Sequence, residues 1–445
     1  MTEAVDVVIV GARCAGSPLA TMLARDGVSV ALLDRADFPS DTLSTHLFQN
    51  EAAKVLESLG VLAEVLASGA PSIEQVDLRL DGLRVTHPIP RRPEDPGTWL
   101  CVRRSTLDKL LIEAAREAGV RVHTSSEVTG LVEEDGRVSG VRVRSDGDER
   151  LLRAALVVGA DGRGSTVARH AGARSYNLIP SQRFAYWGYY EVAPTPTPGT
   201  SFLQRWEEEL LFAAPADGGL HLVAVLPPKE RLAEFRADAD AAFDAYVAGC
   251  EPVAAAVAGG RRVGKLQSMS TWTGYFRESA GPGWVLAGDA GHFKDPSPGQ
   301  GIADALRQVD RLAPDIVTGL GGGPTTIDDA MAKWWRWRDR DAAEMAWFAG
   351  DLGAAGRVPP VLVAAVTDLV AEERFDAFLD IFNHRVAPLE VLTPPRLMAA
   401  TAQLLARGEH PRREILRQTK EMVAEEIRRK RLNRHPEYAG AQDPV

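Results

Sequence analysis

The chain has 445 residues, of which 45% are hydrophobic and 25% are charged, and its formal net charge is −10. This length predicts two or three domains, and the acidic balance excludes nucleic acid as a main partner. The three cysteines are scattered without C-x-x-C spacing, so we expect no disulfide framework, no metal site and a cytoplasmic location. The acidic N-terminus is unlike a signal peptide, and no apolar run is long enough for a membrane span.

The first 35 residues carry the clearest pattern. An apolar, β-branched run at 5–10 predicts a strand buried on both faces, and it leads through Gly11 and Gly16 into a predicted helix. A second apolar run at 28–33 ends on Asp34. This order of strand, glycine turn, helix, strand and acid is typical of a βαβ unit that binds a dinucleotide.

Each part of this unit has a physical role in holding a pyrophosphate. Gly11 permits the tight turn after the strand, and Gly16 lets the helix pack closely on the sheet. The N–H groups at the helix start favour an anion there. Asp34 is expected to accept hydrogen bonds from a ribose hydroxyl. Arg13 replaces the middle glycine of G-x-G-x-x-G, so its side chain must turn away from the backbone and is available to a phosphate.

Helices and hairpins alternate in the next part of the chain. The pattern predicts a loop at 36–50, a helix at 51–66, a β-hairpin at 76–89, a helix at 105–118 and a strand at 120–123. Asp81-Gly82 supplies the turn of the hairpin. Ser105 is expected to be the N-cap of the second helix.

The central part of the chain is rich in strands. The pattern predicts strands at 127–134, 137–143 and 150–158, an antiparallel sheet between 183 and 226, a helix at 238–258 and a strand at 284–287. The strand at 150–158 leads into Asp161-Gly162, and the strand at 284–287 leads into Gly288-Asp289. A proline loop and a helix from Gly301 follow, and everything beyond 325 is expected to be helical.

Four stretches together resemble the FAD-dependent aromatic hydroxylase family, within the superfamily that also holds geranylgeranyl reductases and flavin halogenases. They read VVIVGARCAG, RRSTLDKLLIEAA, VVGADGRGSTVAR and VLAGDAGHFKDPSPGQGIADAL. The resemblance implies an α/β fold with a Rossmann-type FAD-binding domain, an inserted β-sheet substrate domain and a helical C-terminal region. The expected ranges are 1–75, 101–175 and 281–325 for the FAD-binding domain, 76–100 and 176–280 for the substrate domain, and 326–445 for the C-terminal region.

The resemblance also assigns roles around the cofactor. Arg104 and Asp161 would lie near the pyrophosphate, Val128 beside the adenine, and Asp289 against the ribityl chain. A helix starting at Gly301 would point its N-terminal N–H groups at the flavin and stabilise the negative charge of the reduced ring. The residues expected to contact FAD are Gly11, Arg13, Cys14, Ala15, Gly16, Asp34, Arg35, Thr45, Arg104, Val128, Asp161, Gly162, Gly288, Asp289, Gly299, Gly301 and Ile302.

The sequence departs from the family pattern at several of these positions. Arg13 replaces the central glycine, and Gly291 stands in a loop that often reads GDAAH in the family. Lys294 and Asp295 precede Pro296, and Asp304 stands where many relatives carry Asn. These departures affect the details of the flavin contacts and the substrate.

The resemblance implies an FAD-dependent monooxygenase. NAD(P)H, a transient electron donor, would reduce the flavin, O2 would add at its C4a carbon, and the flavin hydroperoxide would pass one oxygen to an apolar, aromatic or polycyclic small molecule. His46 and Lys294 are candidate catalytic residues, each weighed against a purely structural role. The protein is expected to be a monomer or a homodimer.

Three alternatives remain open from the sequence. One is a flavin-dependent reductase of C=C bonds, similar to the geranylgeranyl reductases. A second is a flavin-dependent halogenase, which is disfavoured because the chain has no W-x-W-x-I-P motif. A third is a non-catalytic protein that holds FAD.

Overall fold

The computed structural model describes residues 3–40, 42, 44–192 and 197–440. The outermost residues of the first and last predicted domain ranges, 1–2 and 441–445, lie outside the described residues. So do residues 193–196 within the predicted antiparallel region.

The strands follow one another along the whole first two thirds of the chain. They are β1 Glu3–Val10, β2 Val30–Leu33, β3 Leu47–Phe48, β4 Gln75–Leu80, β5 Leu83–Pro88, β6 Leu100–Cys101, β7 Arg121–His123, β8 Glu127–Glu134, β9 Arg137–Ser145, β10 Asp148–Gly159, β11 Ser175–Pro180, β12 Ala185–Glu191, β13 Thr200–Trp206, β14 Glu209–Ala216, β15 Leu220–Val225, β16 Arg261–Met269, β17 Thr273–Arg277, β18 Ala280–Gly281, β19 Trp284–Leu286 and β20 His292–Phe293.

The helices lie between the strands at first and then occupy the chain alone. They are α1 Gly16–Arg25, α2 Asn50–Ser58, α3 Leu62–Ala67, α4 Arg104–Glu117, α5 Thr166–His170, α6 Leu232–Ala237, α7 Ala239–Ala248, α8 Glu251–Ala256, α9 Gly301–Gly321, α10 Pro324–Gly353, α11 Pro360–Ala371, α12 Phe375–Phe382, α13 Pro388–Val391, α14 Pro394–Arg407 and α15 Arg412–Arg434.

The central sheet has the strand order β18-β19-β10-β1-β2-β7, with β8 and β9 attached through β10. β1 pairs in parallel with β10 and β2, and β19 and β7 extend the parallel part on either side. Val7, Val8 and Ile9 of β1 are fully buried, as the continuous apolar run predicted. The long strand β10 joins the predicted meander to this parallel sheet, because its first half pairs with β9 and its second half with β1.

A second, seven-stranded sheet has the order β16-β12-β15-β14-β13-β4-β5. It is antiparallel except where β13 runs parallel to β4. The predicted hairpin at 76–89 forms β4 and β5, with Leu80 opposite Leu83 across the Asp81-Gly82 turn. One face packs against α7 and α8, and the other packs against α12 and neighbouring helices of the C-terminal region. The predicted fold class, α/β with an inserted β-sheet and a helical C-terminal region, is confirmed.

Some predicted helices have different bounds. The helix expected at 51–66 is two helices, α2 and α3, because the chain turns at Gly60 with φ +73°. The helix expected at 238–258 is also broken, at Cys250 between α7 and α8. The prediction of Ser105 as an N-cap was wrong: α4 begins at Arg104, and the Asp217 carboxylate accepts the N–H of the cap residue Arg103 from another part of the chain. Within the described residues, every helix is too short or too polar to span a lipid bilayer.

His221 of β15 is an unpartnered imidazole inside the seven-stranded sheet. Its side chain is buried, and within the described chain neither ring nitrogen has a hydrogen-bond partner. Burial lowers the pKa of this imidazole to about 4. In the unfolded chain His221 therefore takes up a proton near pH 6.5, whereas in the folded protein it does so only near pH 4. The free energy of unfolding therefore decreases as the pH is lowered from about 6.5 to about 4.

We expect His221→Leu to reduce this acid sensitivity. The free energy of unfolding of the wild type falls between pH 7.5 and 5.5 partly through His221, and the variant should lose about 1 kcal/mol less over the same interval. Thermal unfolding midpoints at the two pH values measure the difference. His410→Leu, at an exposed position, is the control, and an equal pH dependence in wild type and His221→Leu would contradict the expectation.

Candidate cofactor and active site

Three parallel strands end side by side at one edge of the central sheet. β1 ends before Gly11, β10 before Ala160 and β19 before Ala287. The Ala160 N–H donates to Val10 O at 2.7 Å, and the Ala287 N–H donates to Gly159 O at 2.8 Å. The three predicted glycine corners therefore converge at the carboxyl edge, which is where open parallel sheets bind their ligands.

The first corner is packed too tightly for any residue except glycine. Gly11 has φ +102°, and a Cβ there would lie 2.3 Å from the carbonyl oxygen of Ala160. A Cβ on Gly16 would lie 1.8 Å from the carbonyl oxygen of Gly11. Both predicted roles, the tight turn and the close packing of the helix on the sheet, agree with this geometry.

Two helices begin at the same edge. α1 starts at Gly16 and α9 at Gly301, and within the described chain no side chain caps either N-terminus. The helices pack against each other, and a Cβ on Gly288 would lie 3.0 Å from the Ala15 Cβ, so the start of α1 touches the corner after β19. Uncapped N–H groups and two positive dipole ends favour a negatively charged or polar group at this edge.

The carboxylate of Asp289 lies at this edge and is not used in hydrogen bonds within the described chain. Its backbone oxygen accepts the Tyr275 hydroxyl at 2.6 Å, but within the described chain no group hydrogen-bonds its carboxylate. Burial raises the pKa of Asp289 to about 6, against the opposite effect of the Arg163 and Arg104 guanidinium groups. A half-buried carboxylate without a protein donor is suited to accept hydrogen bonds from the hydroxyls of a ligand.

Asp34 and Asp161 are instead engaged by the protein. Asp34 accepts the N–H of Ala12 at 2.8 Å through one oxygen and the N–H of Ala36 at 2.8 Å through the other. Asp161 accepts the Ser165 hydroxyl at 2.5 Å and N–H groups at the start of α5. Burial raises the pKa of Asp161. Both oxygens of Asp34 and Oδ1 of Asp161 keep a lone pair for a further donor, whereas Oδ2 of Asp161 already accepts two N–H groups. The contacts predicted for these two residues remain predictions.

A buried carboxylate that the sequence reasoning missed, Asp108, ties α4 to the glycine turn. Its oxygens accept from Arg13 Nη1 at 2.7 Å and from Arg104 Nε at 2.9 Å. Arg13 also donates to the Ser40 hydroxyl and lies over the Phe38 ring. Arg13 thus turns away from the backbone as expected and is anchored by α4. The i,i+4 spacing of Arg104 and Asp108 in a predicted helix was the available signal.

His46 lies on the loop after β2 and faces the second sheet. Its ring is fully buried, and its backbone adopts φ +57°. The ring atom Nε2 lies 2.6 Å from the Tyr189 hydroxyl of β12. Burial, together with the charge of Arg104, lowers the pKa of His46 to about 3. The imidazole is therefore neutral at physiological pH, and it links the loop to the sheet through Tyr189. Its catalytic role remains a prediction.

Lys294 lies in a buried polar cluster behind the proline loop. Its Nζ donates to Gln300 Oε1 at 2.8 Å and pairs with Asp304 Oδ2 at 2.8 Å. The other Asp304 oxygen lies 3.2 Å from Nε2 of His384 in the C-terminal region. Burial lowers the pKa of both Lys294 and His384, and Asp304 opposes this effect at Lys294. The geometry favours a structural role for Lys294, which fastens the start of α9.

The remaining predicted contact residues differ in their surroundings. Cys14 is buried with its thiol 3.4 Å from Asp108, and Val128 is buried in β8. Arg35 is exposed and Thr45 is half-buried. At Gly162 and Gly301 a Cβ would meet no atom within 4 Å, so these two glycines leave open space beside the backbone. Gly299 packs on Leu47, and Ile302 is buried.

A small apolar cavity of about 20 Å³ lies beside the proline loop. It lies between that loop, the strand β3 and the seven-stranded sheet, and its lining includes Leu47, Trp99, Phe212, Pro298 and Phe382. Pro298 is adjacent to Gly299 at the approach to α9. The cavity therefore lies next to the edge where the glycine corners meet. Within the described residues, we find no cluster of acidic, histidine and cysteine side chains that could hold a metal ion.

This geometry is that of a Rossmann-type sheet whose carboxyl edge is suited to a dinucleotide cofactor. The chain belongs to the family described as FAD binding domain, which matches residues 4–328. The family prediction is thereby confirmed, and the chain is an FAD-dependent flavoenzyme of that family.

Similar proteins catalyse different reactions. The menaquinone reductase of Mycolicibacterium smegmatis is 30% identical over 342 residues, which cover 74% of this chain and 80% of that protein. The 6-methylpretetramide 4-monooxygenase of Streptomyces rimosus is 28% identical over 329 residues, 71% of this chain and 76% of the relative. The 1H-pyrrole-2-carbonyl-(peptidyl-carrier protein) brominase of Pseudoalteromonas luteoviolacea is 26% identical over 328 residues, 71% and 78% of the two chains.

Solved structures agree with the fold. The flavin-dependent brominase Bmp2 superposes with a TM-score of 0.74 at 20% identity, covering 91% of this chain and 100% of that one. At this identity the likeness concerns the fold alone.

Neighbouring side chains explain why Gly291 stands where the family loop often has alanine. A Cβ on Gly291 would lie 2.6 Å from the Ser279 hydroxyl and 2.7 Å from Nη1 of Arg338. Arg338, on α10, is fully buried and donates to Arg277 O at 3.2 Å and to the Ser279 hydroxyl at 3.0 Å. The guanidinium occupies the space that an alanine methyl would need, so the departure at Gly291 accommodates a side chain from the C-terminal region.

We expect Gly291→Ala to destabilise the protein by about 1–3 kcal/mol, because the new methyl group overpacks the space beside Arg338. The thermal unfolding midpoint measures this loss. Gly321→Ala, at a helical position where a Cβ would meet no atom within 4 Å, is the control. If the two variants unfolded at the same temperature, the steric explanation of Gly291 would be wrong.

The buried pair of Lys294 and Asp304 gives a second prediction. Lys294→Met leaves the Asp304 carboxylate without its ammonium and is expected to cost about 3–5 kcal/mol. The double variant Lys294→Met with Asp304→Asn removes both charges and should recover at least half of that loss. Urea unfolding of the two variants and the wild type measures the recovery. If the double variant were no more stable than Lys294→Met, the loss of stability could not be attributed to the unpaired Asp304 carboxylate.

Proposed function

We propose that the protein is an FAD-dependent monooxygenase that uses NAD(P)H and O2 to oxygenate an apolar, aromatic or polycyclic small molecule. The observation that carries this proposal is the apolar surface around Pro298, next to the edge that we propose binds FAD, and the similarity to a 6-methylpretetramide 4-monooxygenase supports it. A predominantly apolar lining selects an apolar substrate, since ligand sites bury most of the ligand surface. The buried, unpaired Cys14, Cys101 and Cys250 support a reducing, cytoplasmic location.

The residues at the edge fit FAD. Asp289 offers a carboxylate without a protein donor, which suits the hydroxyls of the ribityl chain. The uncapped N-terminus of α1 suits the pyrophosphate, and that of α9 suits the flavin ring. Gly162 and Gly301 leave space above the backbone. These residues would hold the cofactor, and NAD(P)H would dock transiently.

In this reaction the bound FAD supplies the redox chemistry and the activation of O2. The chain contributes position and environment. Leu47, Trp99 and Phe382 give the space beside Pro298 an apolar wall, which disfavours water there. The N-terminal dipole of α9 stabilises negative charge on whatever group lies against it. The neutral His46, hydrogen-bonded to Tyr189, keeps the loop beside Leu47 in place.

A reductase of C=C bonds is the second candidate, and the 30% identity to a menaquinone reductase favours it. Reduction of a double bond needs a proton at the second carbon as well as a hydride at the first. Among the residues that the structure describes, the cavity lining consists of apolar side chains with Ser201 and Ser297 and includes no carboxyl, imidazole, phenol or ammonium group. Transfer of an oxygen atom does not need a proton donor in the lining, and this difference supports the monooxygenase.

The deciding experiment compares oxygen with anaerobic turnover. FAD-loaded enzyme, NAD(P)H and a panel of aromatic and polyprenyl-quinone compounds under 18O2 should give a product that contains one 18O atom. The same mixture without O2 should give no product. A reduced product formed anaerobically would establish the reductase instead, and a brominated product that appears only with added bromide would establish a halogenase.

A further inference from the structure

The outward face of the C-terminal helix α15 carries a line of exposed apolar side chains. Leu416, Val423 and Ile427 are 55%, 55% and 66% exposed. Their spacing of seven and four residues places them on one side of the helix, over a length of about 17 Å. A single exposed apolar side chain is ordinary, but three in one line form a surface that is typical of an interaction site.

Basic side chains border this apolar line on both sides. α15 has nine arginine and lysine residues and four glutamates, so its net charge is +5 in a chain whose net charge is −10. At about 100° per residue, six of the nine basic residues lie within about 60° of the apolar line, and all four glutamates lie outside this sector. The six are all exposed: Arg412, Arg413, Lys420, Lys430, Arg431 and Arg434.

The opposite face of α15 binds the helix to the rest of the protein. Ile415 is fully buried in a cluster with apolar side chains of α11 and α14. Arg429 pairs with Asp351 of α10 at 2.6 Å, and Asn433 accepts the indole N–H of Trp347 at 3.1 Å. These contacts hold the apolar and basic face outward. Because the helix is already formed and anchored, binding through this face does not have to order it.

A lipid bilayer with anionic headgroups matches both parts of the outward face. Negative headgroups attract the basic side chains, and the boundary between headgroups and acyl chains accepts the apolar line. A second copy of the chain matches less well, since a two-fold axis would bring the same basic side chains against each other. A nucleic acid would pair its phosphates with the basic side chains but would leave the apolar line against charged groups.

We propose that the outward face of α15 binds the surface of a lipid bilayer that contains anionic lipids. The helix lies parallel to the membrane plane, with Leu416, Val423 and Ile427 inserted between the headgroups and the basic side chains bound to them. The contact is peripheral. It does not depend on which reaction the flavin catalyses, so it goes beyond the proposed function.

Vesicle binding tests the proposal without turnover. Oxidised, FAD-loaded protein is cosedimented with vesicles of phosphatidylcholine alone and with vesicles in which a third of the lipid is phosphatidylglycerol. We expect the anionic vesicles to bind about tenfold more tightly or better, because each basic side chain near an anionic surface contributes a factor of about five. Salt at about 1 M, which shortens the Debye length to about 3 Å, should remove most of this preference.

The charged part of the face is tested by Arg413→Gln combined with Arg431→Gln. This double variant should bind the anionic vesicles about tenfold more weakly or worse, since two basic side chains leave the surface. The matched control is Arg116→Gln combined with Arg236→Gln, which removes exposed arginines from α4 and α6. It changes the net charge of the chain by the same amount and should bind as the wild type does.

The apolar part is tested by Val423→Ser combined with Ile427→Ser. We expect binding to the anionic vesicles to weaken about tenfold, because less apolar surface leaves water on insertion. Leu66→Ser combined with Leu151→Ser is the control, since these residues of α3 and β10 are 40% and 39% exposed. Thermal unfolding midpoints of all variants should stay close to that of the wild type, so that weaker binding is not a loss of folding.

Four results would overturn the inference. The first is a wild type that binds neither kind of vesicle or binds both equally. The second and third are wild-type binding by the charge variant or by the apolar variant on α15. The fourth is a lipid-free wild type that sediments as a dimer and becomes a monomer in the apolar variant, because a second copy would then cover the face. Since no electron donor or substrate is present, none of these results bears on the proposed monooxygenase activity.

Discussion

The whole site depends on one close contact between two strands. At the end of β1, the backbone of Gly11 passes so near Ala160 at the end of β10 that a single Cβ would have to lie 2.3 Å from a carbonyl oxygen. Gly16 then approaches Gly11 just as closely. Because these backbones touch, the turn after β1, the start of α1 and the acidic corner after β10 share one edge. Any side chain at Gly11 would separate them.

The acidic groups at this edge divide into two kinds. The carboxylates of Asp34 and Asp108 accept hydrogen bonds from the protein and hold the turn after β1 in position. The carboxylate of Asp289 has no protein donor within the described chain. The ion pair of Lys294 and Asp304 fastens α9 from behind, and Arg338 supports the loop at Gly291. The C-terminal helices thus hold the cofactor edge in place as well as covering the second sheet. Rigid support of this kind is what a site needs when its cofactor supplies the chemistry.

The sequence predicted the parts of the molecule whose signals are local. Apolar runs marked the buried strands, and glycines with an acid marked the corners, so convergence at one edge followed from parallel strands. The breaks at Gly60 and Cys250 were missed, because apolar periodicity continues across them. Asp108 had a visible spacing to Arg104, but its bond to Arg13 joins positions 95 residues apart. The partners of Lys294 arise only from tertiary packing, to which no local pattern points.

The central claim is that one FAD molecule binds across the three corners, with Asp289 as the carboxylate kept for it. Titration of cofactor-free protein with FAD, followed by quenching of flavin fluorescence, tests it most directly. The account predicts one FAD per chain, binding weakened about tenfold or more in Asp289→Ala through loss of a charged hydrogen bond, and unchanged binding in Asp310→Ala, an exposed position on α9. Absence of FAD binding, or wild-type affinity in Asp289→Ala, would contradict it.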